Sequence, residues 1–63
     1  MRKFYFELDN RISSITYSNL EKKYILITRN DEGYISIRKR FDTYDDAYNS
    51  MQKACNNTAV EVK

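Results

Sequence analysis

Only one stretch of this 63-residue chain repeats its apolar residues at helical spacing, and that limits what it can fold into. Tyr44, Ala47, Tyr48, Met51, Ala54 and Cys55 recur three and four positions apart. Asp45, Asp46, Asn49, Ser50, Gln52 and Lys53 fill the opposite side. Thr43 stands ahead of the stripe as a cap. Asp45 and Asp46 fall in the first turn, where carboxylates meet free N–H groups and the positive end of the helix dipole. Asn56-Asn57 can end the helix, one of them in the left-handed region. The spacing predicts a helix from Thr43 to Asn56, and a lone amphipathic helix needs a surface on which to bury its stripe.

The rest of the chain reads as strands. Lys3 to Leu8 alternates, with Phe4, Phe6 and Leu8 on one side and Tyr5 and Glu7 on the other. Asp9-Asn10 marks a tight turn. Ile12 to Tyr17 is β-branched and reads as the return strand, followed by a polar turn from Ser18 to Lys23. Tyr24 to Arg29 and Tyr34 to Phe41 form the next hairpin around Asn30-Asp31-Glu32-Gly33. Gly33 is the only glycine, suited to the positive φ of a type I turn with a G1 bulge. Ala59 to Lys63 alternates and adds a last edge strand. The expected order is β-β-β-β-α-β. It makes one α+β domain spanning residues 1–63, a small antiparallel sheet of three to five strands packed against one helix near the C-terminus. Alternation is expected to put Ile25 and Ile27 with Ile35 and Ile37 on one side. Tyr24, Leu26 and Thr28 then share the outer side with Tyr34, Ser36, Arg38 and Arg40.

Composition excludes several chemistries. A chain of this length buries only roughly 60% of its unfolded surface, so its core is thin. A single cysteine, Cys55, allows no internal disulfide, and with no histidine one thiol cannot complete a zinc site. Without histidine the usual general base and the Ser-His and Cys-His nucleophiles are absent, and one glycine cannot build a phosphate loop. No catalytic residue, cofactor or metal is expected, and the chain reads as non-enzymatic. Cys55 reads as a small core hydrophobe. The longest apolar run, Tyr24-Ile25-Leu26-Ile27, is far too short to span a membrane. Glu7 and Asp9 follow the first apolar residues at once, so a cytoplasmic location is expected. Abundant Ile, Tyr, Asn and Lys suggest a low-GC bacterium or one of its phages as the source.

The net charge of +2 is unevenly placed. Residues 1–41 hold nine Lys/Arg against five Asp/Glu, while residues 42–63 hold two against four. Two surfaces stand out. The outer sheet face combines Tyr24, Tyr34, Arg38 and Arg40, with Tyr5 beside them, and suits a partner protein or nucleic acid. The acidic face of Asp42, Asp45 and Asp46 suits a basic partner surface. Six tyrosines and three phenylalanines exceed what one helix can cover, which predicts aromatic residues on the open face.

The run Gly33-Tyr34-Ile35-Ser36-Ile37-Arg38-Lys39-Arg40-Phe41-Asp42-Thr43-Tyr44-Asp45-Asp46-Ala47 resembles the three-stranded arm-site DNA-binding domains of phage and transposon integrases, and AP2-like domains. A strand ends in basic residues, then Phe-x-Thr and two acidic positions open the helix. The resemblance covers roughly residues 24–56. It implies a sheet that enters the major groove through Arg29, Arg38 and Arg40. Three expectations follow. The chain is a phage or mobile-element product docking on a host protein as an inhibitor of a defence or nucleic-acid enzyme. Otherwise it is a nucleic-acid-binding module, or else a homodimeric assembly component.

Overall fold

In the computed structural model, which describes residues 2–7 and 10–62, turn chemistry sets the frame. Asn10 takes the left-handed φ of 56° and its N–H donates to the Phe6 carbonyl at 3.0 Å, closing the first turn. Lys22, at φ 55°, donates to the Ser18 carbonyl at 2.7 Å and closes the second. In the third, Gly33 adopts φ 89° and donates to the Asn30 carbonyl at 3.0 Å. The Asn30 side-chain oxygen accepts from the Glu32 and Tyr34 N–H groups, so one asparagine organises the whole turn.

These turns join β1 (Arg2–Phe6), β2 (Arg11–Ser18), β3 (Lys23–Arg29) and β4 (Ile35–Phe41). The helix α1 (Tyr44–Ala54) and a short β5 (Ala59–Val62) follow. All neighbours pair antiparallel in the order β4-β3-β2-β1-β5. The expected α+β architecture, with one helix packed on an antiparallel sheet, is therefore the observed one. Leu8 of the expected first strand, Asp9 of the first turn and Lys63 of the last strand lie outside the described residues.

The helix begins as its sequence predicts. Thr43 is extended, and its Oγ1 accepts from the Asp46 N–H at 3.1 Å. It ends earlier than expected. Cys55 is the C-cap, and both Asn56 and Asn57 take positive φ, which turns the chain toward β5.

α1 lies on β2, β3 and β4. Phe4, Phe6, Ile15 and Leu26 from the sheet meet Ala47, Met51 and Cys55 from the helix in the buried core. The only other buried groups among the described residues are Ser13 and Thr28, whose hydroxyls bond each other across β2 and β3 at 2.6 Å. Beside the core runs a belt of rings. Tyr17 meets Tyr24 at 5.0 Å between centroids, Tyr24 meets Tyr44 at 6.2 Å, Tyr44 meets Tyr48 at 6.1 Å, and Tyr48 meets Phe4 at 5.6 Å. Four of the six tyrosines are spent on this belt. The predicted aromatic open face is thereby corrected: these rings extend the core sideways past the helix, and of the strand tyrosines only Tyr5 lies on the opposite side of the sheet.

Candidate partner-binding face

The pairing register decides which residues share a face. Phe4 opposes Ser13, Ser13 opposes Thr28, and Thr28 opposes Ile37, so these four lie on the helix side. Tyr17, Tyr24 and Phe41 form another row on that side, as do Ile15, Leu26 and Lys39. The other side carries Lys3 and Tyr5 from β1, then Ile12, Ser14 and Thr16 from β2. Ile25, Ile27 and Arg29 follow from β3, with Arg38 and Arg40 opposite the two isoleucines on β4. Val60 and Val62 complete it from β5.

This corrects the expected grouping. Tyr24, Leu26 and Thr28 belong to the helix side, and Ile25 and Ile27 to the open side. Tyr24 is half-buried between Tyr17 and Tyr44 and is not on the face that holds Arg38 and Arg40. A register shift at Thr28/Arg29 also separates Ile35 from Ile37. Ile35 opposes Arg29 on the open side, Ile37 opposes Thr28 on the helix side, and the Ser36 hydroxyl donates to the Thr28 carbonyl at 3.2 Å. Tyr34 sits in the turn ahead of β4, 69% exposed. Of the four proposed residues, the fold brings only Arg38 and Arg40 together.

The open face has an aliphatic middle and a charged margin. Ile12, Ile35, Val60 and Val62 are each about half exposed, with Ile25 and Ile27 between them. A water-facing sheet side ordinarily carries polar residues at such positions. Small hydroxyls on β2 leave a trough of about 550 Å³, floored by Ser14 and Thr16, walled by Ile12 and Ile27, and flanked by Lys3 and Arg29. The Asn30–Gly33 turn closes one end, where the Arg29 guanidinium donates to the Gly33 carbonyl at 3.0 Å. Sequence reasoning missed this site. The signal was present in Ile25 and Ile27 on β3 and Val60 and Val62 on β5, each pair two apart, but only the register shows that they share a face with Ile12 and Ile35.

Two of the margin's charges are already matched. Arg40 pairs with Glu21 at 2.7 Å, and Lys23 pairs with Asp42. The expected acidic face is thus divided. Asp42 is engaged by Lys23 at the end of the sheet, while Asp45 borders a shallow cleft with Arg2, Tyr44 and Glu61 on the helix side. Asp46 stays exposed in the first helical turn. In that cleft Arg2 makes a two-pronged pair with Glu61 at 2.9 and 2.6 Å and lies 5.0 Å from the Tyr44 ring centre. The Glu61 hydrogen bond above all holds the Arg2 proton more firmly than usual. This cluster ties β1 to β5 and to the helix.

Among the described residues no three acidic or cysteine side chains converge as metal ligands, and no helix is long and apolar enough to cross a membrane. Cys55 is a buried free thiol whose Sγ contacts the Gln52 carbonyl at 3.5 Å. Comparison with protein-family models, with curated proteins and with solved structures gave no match.

Proposed function

We propose that this chain is a non-enzymatic protein-binding module that docks through the helix-free face of its sheet. The observation that carries this reading is six β-branched aliphatic side chains on one uncovered face, with Lys3, Arg29 and Arg38 at the margin making no ion pair among the described residues. Protein interfaces combine an apolar middle with a polar rim in this way. Such a chain suits a small phage or mobile-element product acting on a host protein. A rigid face of this size can block a partner's working surface without chemistry of its own. Affinity capture tests it. Wild type should retain a stoichiometric partner, Ile12→Asp with Ile27→Asp should lose it, and Asp45→Lys with Asp46→Lys on the helix should keep it. Equal capture by all three contradicts the reading.

One observation favours nucleic acid as a second reading. Arg38, Lys39 and Arg40 border a hollow at the β4 edge, with Lys39 turned to the side opposite the two arginines. Filter binding at low salt, where phosphate contacts are strongest, decides it. Failure to retain duplex or single strands there removes it.

A further inference from the structure

The trough on the open face has a shape and a charge pattern that select one kind of occupant. It rests on the docking reading above and names what fills the deepest part of the face. We propose that the trough takes a bulky apolar side chain of a partner protein, presented next to carboxylates of the same segment.

Depth comes from β2. Ser14 and Thr16 are small, Ile12 precedes them on the same strand and Ile27 stands opposite Ser14 on β3, so the floor is low and two of its borders are aliphatic. The volume of about 550 Å³ lies within the range of clefts that enclose a ligand group. A large apolar anchor in such a recess is where interface energy concentrates.

Charge specifies what surrounds the anchor. Lys3 on β1 and Arg29 on β3 stand on opposite sides of β2, two strand spacings apart, about 10 Å across the trough. Arg38 continues the same end of the face beside Ile27. Against these three cations stands Asp31 at the closed end. The acids Glu21 and Asp42 lie toward the other end and already hold Arg40 and Lys23. Carboxylates on either side of an apolar anchor complement this arrangement.

Other occupants fit less well. A second copy packed in the same strand direction would bring the same cations to the same end, and one packed in the reverse direction would offer acids that already hold Arg40 and Lys23. A nucleobase fits less well, because the trough itself is lined by aliphatic and hydroxyl side chains and the tyrosine belt lies on the opposite side, leaving Tyr5 opposite Ile12 as the one strand tyrosine on this face.

The test is an NMR titration of the isotope-labelled chain with three blocked peptides. The first has tryptophan between pairs of glutamates, the second has alanine for tryptophan, and the third has lysines for the glutamates. Saturable shifts of the Ser14, Thr16 and Ile27 amides with the first peptide alone are expected. Lys3→Gln with Arg29→Gln should weaken that binding roughly fivefold to tenfold, the effect of losing two exposed ion pairs. Several results overturn the inference: no saturable shift, an equal response to the alanine peptide, or shifts centred on the helix or the β4 edge. So do self-association through the same amides and a stronger response to a thymidine oligonucleotide. The aspartate variants of the face decide the docking reading separately, whatever the peptides do.

Discussion

On both sides of the sheet, isoleucine, leucine and valine sit at alternate positions, yet what lies opposite them differs. Leu26 is 1% exposed under Met51 and Ala47, while its neighbour Ile27 opens onto the trough. The helix side is closed by aromatic rings along its margin, and the buried Ser13 and Thr28 hydroxyls satisfy each other. Among the described residues the open side has no such closure: beside Tyr5 it carries hydroxyls, part-exposed aliphatics and cations. Residues of one chemical type therefore stand in two environments in this fold: on one side they hold the domain together, and on the other they are left part-exposed.

Truncation should expose this difference most strongly. Leu26→Ala removes a fully buried side chain in contact with the helix and should cost about 2–5 kcal/mol in urea unfolding. For a chain of this size that is a large share of the total. Ile12→Thr on the open side keeps the β-branch at a position 47% exposed and should change stability by about 0.5 kcal/mol or less. Similar losses at both positions would show that the open side is covered in solution, by another copy of the chain.

The sequence shows one side of this comparison more clearly than the other. The strands, turns and helix were legible because Asn10, Asn30, Gly33, Thr43 and Asn56 each carry local backbone chemistry that marks a boundary. The helix stripe was legible too, except for Ala54, which lies at the edge of the stripe and is exposed while the next residue, Cys55, is buried. The facing of β3 was not. Ile25, Leu26 and Ile27 are consecutive and apolar, so polarity does not say which parity points inward. Thr28 then misleads, because it is polar but buried, with a partner 15 residues away supplying its hydrogen bond. The shift at Ser36 reverses the sense of Ile35 relative to Ile37, and nothing local announces it. Since the candidate site is made of residues from these strands, the one ambiguity carried into every surface assignment.

The buried hydroxyl pair gives the next largest effect. Ser13→Ala leaves the Thr28 hydroxyl without its partner in a dry position and should cost about 1–3 kcal/mol. Adding Thr28→Val removes both polar groups, so the double variant should recover most of that loss. A double variant weaker than the sum of the singles would mean that the pair does more than satisfy itself. Smaller again is the cap. Thr43→Ala removes the acceptor for the Asp46 N–H and should cost about 1 kcal/mol. It should leave open-side binding unchanged, because the cap serves only the helix.

An effect that is small at neutral pH and grows with alkalinity concerns Tyr44, at the edge of the closed side. Its hydroxyl is shielded from solvent and has no hydrogen-bond partner among the described residues. Burial raises its pKa above the ordinary 10.0, and the opposing pull of the Arg2 guanidinium is the weaker influence. The fold thus holds this proton more tightly than the unfolded chain does. The stability linked to it is complete below about pH 10 and is lost as pH rises through the folded value. Tyr44→Phe keeps the ring contacts with Tyr24 and Tyr48 and removes an unsatisfied group, so at pH 7 it should be neutral or more stable by up to about 1 kcal/mol. Above pH 10 the variant should lose stability less steeply than wild type, as read from urea midpoints across the alkaline range. Parallel curves would place the alkaline sensitivity in the other tyrosines of the belt, and the closed side would then owe its seal to ring packing alone.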